Sequence, residues 1–193
     1  MKIPGGNILL WCLVAVLLLA AAPAVAQYDD EDGWGDVPYV PTPDEVVDAM
    51  LALAEVGPKD IVYDLGSGDG RILIAAVKKY HAKRAVGVEL NHSRVELARD
   101  NAKTAGVAGR VEVREGNLFE ADIHDATVVT LYLLSSVNEK LKPKLLSDLK
   151  PGTRVVSHRF DMGEWKPVKQ SEAEGRPIYL WVIPEKQAAA AAR

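Results

Sequence analysis

The sequence predicts an α/β fold with a mostly parallel sheet and an antiparallel hairpin at the sheet edge. Short apolar runs typical of strands alternate with segments in which apolar residues recur every three or four positions. A glycine-rich turn, residues 66–70, joins the first of these strands to its helix. After the fifth strand, two further strand-like runs follow each other with no helix between them. Such neighbours pair as a hairpin.

The first half of the predicted domain contains three helices and two strands. Thr42 and Glu45 form a capping-box pattern around Pro43, which predicts the start of the first helix, and Gly57 ends it. Ser93 and Glu96 form a second capping pattern, which predicts the start of the third helix. The other elements of this half are the strand 61–65, its helix at about 71–80, and the strand 85–88.

The second half supplies the remaining strands and one helix. Residues 126–134 are the most apolar run, which predicts a central strand covered on both faces. A helix over 138–149 contains Pro143, which is tolerable only if the regular helix begins near it. The third strand (111–114), the fifth (153–160) and two hairpin strands (about 166–171 and 177–183) complete the prediction.

Composition limits the classes of protein. The chain has 193 residues, of which 48% are hydrophobic, enough for one domain with a real core. Its formal net charge is −4 and it lacks a long basic block, so nucleic acid is not the expected partner. The single cysteine, Cys12, argues against a disulfide framework and thiolate metal sites. The four histidines lack metal-ligand spacing, and no metal is expected; they are His81, His92, His124 and His158.

The amino end predicts targeting rather than fold. Residues 1–26 carry Lys2, an apolar run of about 15 residues and an A-x-A pattern, which favours a signal peptide or an N-terminal anchor. Residues 27–37 are expected to form an acidic flexible linker. The domain is predicted to span 38–184, followed by an alanine-rich tail, 185–193. We therefore expect an exported or membrane-tethered protein, although anchoring on the cytoplasmic side stays open.

The glycine turn predicts a ligand site. Without Cβ atoms, the turn lets a ligand lie against the backbone, and free amides at the helix start would favour an anionic group. Glu89 ends the second strand 19 residues beyond Gly70, where related folds place an acid on ribose hydroxyls. The spacing is G-x-G-x-G, with Arg71 where the dinucleotide fingerprint has its third glycine.

Together with Asp64, two places before the first glycine, this turn resembles motif I of the Rossmann-like class I S-adenosylmethionine (SAM)-dependent methyltransferases. The order PYVPT, DLGSGDGR, VGVELN and RVVSHRF is similar to a narrower family, the membrane-anchored mitochondrial lysine methyltransferases and their prokaryotic relatives. That family modifies the adenine nucleotide carrier and the c-type subunit of ATP synthase. The resemblance implies SAM as cofactor, a protein substrate such as a small membrane protein, and membrane association through the N-terminus.

The resemblance also implies the site. Glu89 would hold the ribose, and Asn117, where the superfamily often has Asp, would face the adenine amino group. Around Tyr132 this chain departs from its relatives, and Tyr132 is the acceptor-side candidate from its place at the end of a strand. The predicted cofactor-binding residues are Tyr39, Val40, Pro41, Thr42, Asp64, Leu65, Gly66, Ser67, Gly68, Gly70, Glu89, Leu90, Asn117 and Leu118. The expected reaction is SN2 methyl transfer to a deprotonated lysine amine. The alternatives are a non-catalytic exported SAM-fold binding module and a nicotinamide-dependent oxidoreductase.

Overall fold

A computed structural model describes residues 39–185, all within one compact unit. The signal peptide or anchor, the linker and nearly all of the tail lie outside the described residues. Four helices and seven strands follow one another in this part of the chain. They are α1 (Asp44–Leu53), β1 (Ile61–Leu65), α2 (Arg71–Lys78), β2 (Arg84–Glu89), α3 (His92–Thr104), β3 (Val111–Glu115), β4 (Val128–Leu131), α4 (Ser135–Asp148), β5 (Arg154–His158), β6 (Lys169–Ala173) and β7 (Arg176–Val182).

All seven strands form one sheet in the order β3-β2-β1-β4-β5-β7-β6. The first five are parallel, and β7 pairs antiparallel with both β5 and β6. The turn of the hairpin consists of Glu174 and Gly175, both at positive φ (50° and 69°) as a type I′ turn requires. The mostly parallel sheet with an antiparallel edge hairpin is therefore confirmed.

The core lies on both faces of the sheet. Apolar residues of α1, α2 and α3 pack on one face against Val62, Val128 and Val156. Residues of α4 pack on the other face against alternate positions such as Leu65 and Val129. The chain crosses from β3 at one edge to β4 beside β1, so the strand order reverses between β1 and β4. Open α/β sheets bind ligands at the carboxyl ends of the strands at such a reversal.

Both capping predictions are wrong. Pro43 precedes α1 without a side-chain cap, and the hydroxyl of Thr42 lies 3.4 Å from Nδ1 of His158 instead. Helix α3 begins earlier than the pattern suggested, because the side chain of Asn91 accepts a hydrogen bond from the Arg94 amide. In both cases a residue outside the local pattern supplies the deciding partner.

The predicted bounds also needed correction. Strand β4 ends at Leu131 because the chain then turns into α4, which starts at Ser135 rather than at residue 138. Pro143 therefore stands inside α4, where its ring nitrogen cannot donate to the preceding turn. Strand β5 ends at His158 because Arg159 takes a φ of 68° and leaves the strand. Among the helices of residues 39–185, none combines the length and the apolar character that crossing a bilayer requires.

Candidate active site

The glycine turn lies between β1 and α2, at the centre of the sheet. Gly66, Gly68 and Gly70 all have positive φ, at 86°, 51° and 78°, a region that residues with a Cβ rarely occupy. A Cβ on Gly70 would lie 3.1 Å from the Cβ of Ala98 in α3, so this glycine also permits close helix packing. The turn therefore requires glycine for its backbone shape at all three positions.

Four of the five amides of residues 66–70 donate within the protein, so for these four the expectation of free amides is wrong. These four amides and the amide of Arg71 each donate to an acceptor of the protein itself, at distances of 2.8–3.2 Å. The pairs are Gly66 and Ser67 to the Val88 carbonyl, Gly68 to the Glu89 carboxylate, Gly70 to the Ser67 carbonyl, and Arg71 to the Asp69 carboxylate.

Three carboxylates surround this turn. Asp64 is 3% exposed, and its Oδ1 accepts a hydrogen bond of 2.7 Å from the hydroxyl of Thr130. Burial raises the pKa of Asp64 to about 7 against the opposing effect of that hydrogen bond, and the nearby charges of Glu89 and Asp69 add to the rise. The site therefore contains a carboxyl group that is close to half ionised at neutral pH.

The other two carboxylates have closer partners. Burial opposes the ionisation of Asp69, but hydrogen bonds from Arg71 outweigh burial, so that the pKa of Asp69 is lowered. Glu89 is 6% exposed, accepts hydrogen bonds from the amides of Gly68 and Asn91, and lies 3.7 Å from the guanidinium of Arg94. The strand-end position of Glu89 thus brings its carboxylate to the glycine turn, although the sequence places them 21 residues apart.

Residues 39–42, which we call the strap, lie against the same turn. The ring of Tyr39 approaches Gly68 so closely that a Cβ there would lie 2.5 Å from Cε2. The guanidinium of Arg94 lies 4.8 Å from the centre of the Tyr39 ring, and Arg71 donates to the Thr42 carbonyl at 2.9 Å. The structure thus brings Tyr39 and Thr42 to the glycine turn, from which they are remote in sequence, as the resemblance implied.

The side of the site beyond β2 is more open. Leu90 is 41% exposed, directly after Glu89. A pocket of about 240 Å³ lies beside it, and its lining includes Val88, Gly116 and Asn117. The Asn117 side chain closes its own turn, accepting from the Phe119 amide at 3.0 Å and donating to Glu120. Its contact with an adenine amino group stays a prediction, as do the cofactor contacts of the other residues proposed from the sequence.

The acceptor side contains a residue that sequence reasoning missed. Tyr132 follows β4, and its ring lies 3.9 Å from that of His158, centre to centre, and 6.1 Å from that of Phe160. The sequence pattern excluded His158 as a metal ligand and gave it no part in the site, but the residue is fully buried. Burial lowers the pKa of His158 to about 4, and the charges of Arg176 and Arg159 act in the same direction. The sequence signal for a role of His158 in the site was its place near the carboxyl end of a predicted parallel strand.

No group of three His, Cys, Asp or Glu side chains within residues 39–185 is arranged to hold a metal ion. Three carboxyl groups, of Asp64, Asp69 and Glu89, instead lie around the glycine turn where the strand order reverses. Such a place suits a small ligand.

Comparison with known proteins identifies relatives. Residues 64–169 match the family model of the ANTKMT methyltransferase domain. A protein-lysine N-methyltransferase of Saccharolobus islandicus is 54% identical over 153 residues, which cover 77% of this chain and 95% of the relative. The adenine nucleotide translocase lysine N-methyltransferase of Mus musculus is 40% identical over 68% of this chain, which spans 57% of the mouse protein.

A solved structure extends the comparison. It is described as an RNA methyltransferase from Salinibacter ruber in complex with S-adenosylhomocysteine. It matches with a TM-score of 0.75 and 58% identity, covering 78% of this chain and 97% of that chain. The descriptions of the Saccharolobus and Salinibacter relatives therefore agree on methyl transfer and differ on the acceptor.

Proposed function

Since the chain belongs to the ANTKMT methyltransferase family, we propose that its crevice binds SAM for methyl transfer to lysine side chains of a protein. The family and the class I methyltransferase fold, both expected from the sequence, are confirmed. The nicotinamide-dependent alternative is not favoured, because the relatives are methyltransferases.

The sign of the charge around the glycine turn carries the assignment of the donor. A dinucleotide presents a doubly negative pyrophosphate, which needs free amides at the turn. Here four of the five turn amides are occupied, and Asp64, Asp69 and Glu89 surround them. SAM carries a positive sulfonium, a positive ammonium and a negative carboxylate, so its net charge is positive. The three carboxyl groups outnumber the nearby Arg71 and Arg94, and this excess favours SAM and disfavours the pyrophosphate.

The chain's own residues mainly position the reactants. SAM supplies an already activated methyl group, so the protein has to align the nucleophile and exclude water. Asp64 and the strap would hold the methionine end of the donor, and Glu89 the ribose. To bind the ribose, the Glu89 carboxylate would give up its contact with the Gly68 amide, or keep that contact while also accepting from the ribose hydroxyls.

An amine acceptor must lose a proton before it can attack. At pH 7, deprotonating a lysine of ordinary pKa costs about 4.6 kcal/mol. Apolar and aromatic surroundings reduce this cost by disfavouring the ammonium form. Tyr132, with Phe160 and the neutral ring of His158 beside it, would provide such a wall.

We extend the proposal to the substrate and its location. Two mouse relatives are named for modifying adenine nucleotide translocase and the c-type subunit of ATP synthase. We infer that this enzyme likewise modifies a small membrane protein, with residues 1–26 directing export or membrane attachment. The relative described as an RNA methyltransferase makes RNA the competing acceptor, and the acidic net charge of −4 argues against it.

The test uses the full chain, SAM labelled in the methyl group, and membranes and RNA from the same cell. We expect label in a small membrane protein that resists ribonuclease, disappears with protease, and is recovered as methyl-lysine after hydrolysis. The Asp64→Asn variant should incorporate little label at pH 7. Label lost to ribonuclease would assign RNA as acceptor, and SAM binding without transfer to any fraction would support the non-catalytic alternative.

A further inference from the structure

His158 contacts both sides of the site described above, and so far it has only the role of a neutral ring in the acceptor wall. It is the last residue of β5 and follows Ser157, whose register partner Leu131 pairs in turn with Leu65 of β1. Its Nδ1 lies 3.4 Å from the hydroxyl of Thr42 in the strap. Its ring lies 3.9 Å from the ring of Tyr132. One imidazole therefore joins the segment beside the donor turn to the wall on the acceptor side.

A structural role alone does not account for a histidine at this position. Among the described residues, Nε2 of His158 is buried and has no hydrogen-bond partner. A buried polar atom without a partner is destabilising, and such atoms in folded proteins usually have a functional explanation. A phenylalanine would keep an aromatic ring of similar size without that unpaired atom. Phenylalanine would also leave the buried hydroxyl of Thr42 without this partner, so the two effects on stability oppose each other.

We propose that His158 is a positioning residue for methyl transfer, which holds the strap and the Tyr132 ring in one fixed arrangement. The Nδ1–Thr42 contact holds the strap in place over the donor. The ring contact holds Tyr132 where the acceptor amine must approach. The inference rests on the proposed function, because it assumes that the strap covers SAM and that Tyr132 faces the acceptor.

Methyl transfer is sensitive to such positioning. The attacking nitrogen, the methyl carbon and the sulfur must lie in line, and small displacements of a positioned group reduce the rate strongly. Thr42 and His158 are 116 residues apart in sequence, so this contact is a long-range link between the start of α1 and the end of β5. A neutral imidazole suits this place because it adds no positive charge beside the cationic sulfonium of the donor.

Two substitutions separate the two contacts. His158→Asn retains an amide group where Nδ1 lies and removes the ring, whereas His158→Phe retains the ring and removes the contact with Thr42. The matched control is His81→Asn, the same exchange at an exposed histidine between α2 and β2, whose φ of 61° asparagine tolerates. Thermal unfolding, the Kd for SAM and the kcat with the protein acceptor should be measured for each full-length variant.

We expect His158→Phe to stay folded with nearly the melting temperature of the wild type, because loss of the unpaired Nε2 offsets loss of the Thr42 contact, and to bind SAM about 3- to 10-fold more weakly. We expect His158→Asn to bind SAM within about twofold of the wild type but to lose at least about tenfold in kcat. His81→Asn should leave both the Kd and the kcat unchanged.

A double-mutant cycle with Thr42→Val tests the link directly. If the hydroxyl acts through His158, the double variant Thr42→Val, His158→Phe should bind SAM no more weakly than either single variant. Effects that multiply in the double variant would refute the link. Unchanged Kd and kcat in both folded His158 variants would refute the whole inference, while SAM binding by the wild type would still support the proposed function. Wild-type protein that binds no SAM would refute the proposed function itself.

Discussion

Replacing Asp64 by Asn should make the ligand-free enzyme more stable at alkaline pH and weaken its binding of SAM. Asparagine has the same shape as aspartate, and its carbonyl oxygen can still accept the hydrogen bond that Thr130 donates at 2.7 Å. The substitution therefore removes the charge and leaves the packing nearly intact. Asp64 is 3% exposed, so an ionised carboxylate there lacks most of its hydration.

The magnitude follows from the raised pKa. Burial raises the pKa of Asp64 from 3.8 to about 7, a shift that corresponds to at most about 4 kcal/mol. Because the folded-state pKa is the higher one, the folded state is favoured most below pH 3.8, and this contribution is lost as the pH rises through about 7. The asparagine side chain of the variant cannot ionise, so the variant lacks this part of the pH dependence. The difference in unfolding free energy should therefore favour the variant at pH 8 and be small at pH 4.

Binding of SAM should show the opposite sign. The cationic donor favours the ionised carboxylate, so its binding should release up to one proton near pH 7. With a pKa of about 7, only a tenth of the carboxyl groups are ionised at pH 6, and the apparent Kd should be about tenfold weaker there than at pH 8.

Calorimetry in two buffers with different ionisation heats measures the proton release, and denaturant unfolding at pH 4, 6 and 8 measures the stability. S-adenosylhomocysteine, which lacks the sulfonium charge, is the matched ligand and should show a smaller pH dependence. A Kd for SAM that is constant from pH 6 to 8, together with equal stability of the variant and the wild type at pH 8, would refute the reasoning.

Two further substitutions test the rest of the donor site. Glu89→Gln keeps an acceptor for the Gly68 amide but removes the charge and one acceptor oxygen, so SAM should bind about tenfold more weakly with little change in the melting temperature; equal affinity would show that the ribose lies elsewhere. Gly68→Ala puts a side chain at a φ of 51° with its Cβ 2.5 Å from the Tyr39 ring. It should cost about 1–2 kcal/mol of stability and weaken SAM binding, whereas Gly109→Ala, with open space around it, should change neither.

The elements that the sequence predicted well are those defined by local pattern. The helical face after Gly70 and the short apolar strands before and after it are repeated signals within about 15 residues, which identify element type reliably. The closeness of Glu89 to the glycine turn could also be predicted, because Glu89 ends the strand that pairs with β1. The hairpin at the sheet edge followed from the absence of a helix between two strand-like runs.

The errors arose where a residue outside the expected pattern, distant for Thr42 but neighbouring for α3, takes the deciding contact. Thr42 has the spacing of a helix cap, but its hydroxyl faces His158 across 116 residues of sequence. Asn91 caps α3 because its side chain reaches the Arg94 amide, and the helix has already begun where Ser93 stands. The burial of His158 depends on the packing of α1 and the hairpin against β5, so no local pattern predicts its lowered pKa.

The ligand of this fold is decided by charge rather than by backbone shape. The strand, glycine turn and helix are shared with dinucleotide sites, in which the turn amides receive a phosphate. Here Val88 and Glu89 accept from the amides of Gly66, Ser67 and Gly68, so these three amides are not free to receive a phosphate. Asp64 then contributes a carboxyl group whose ionisation is costly until a cation arrives. The same cost that destabilises the ligand-free fold thus becomes selectivity for a positively charged donor, which is why the pH dependences of stability and of SAM affinity should have opposite signs.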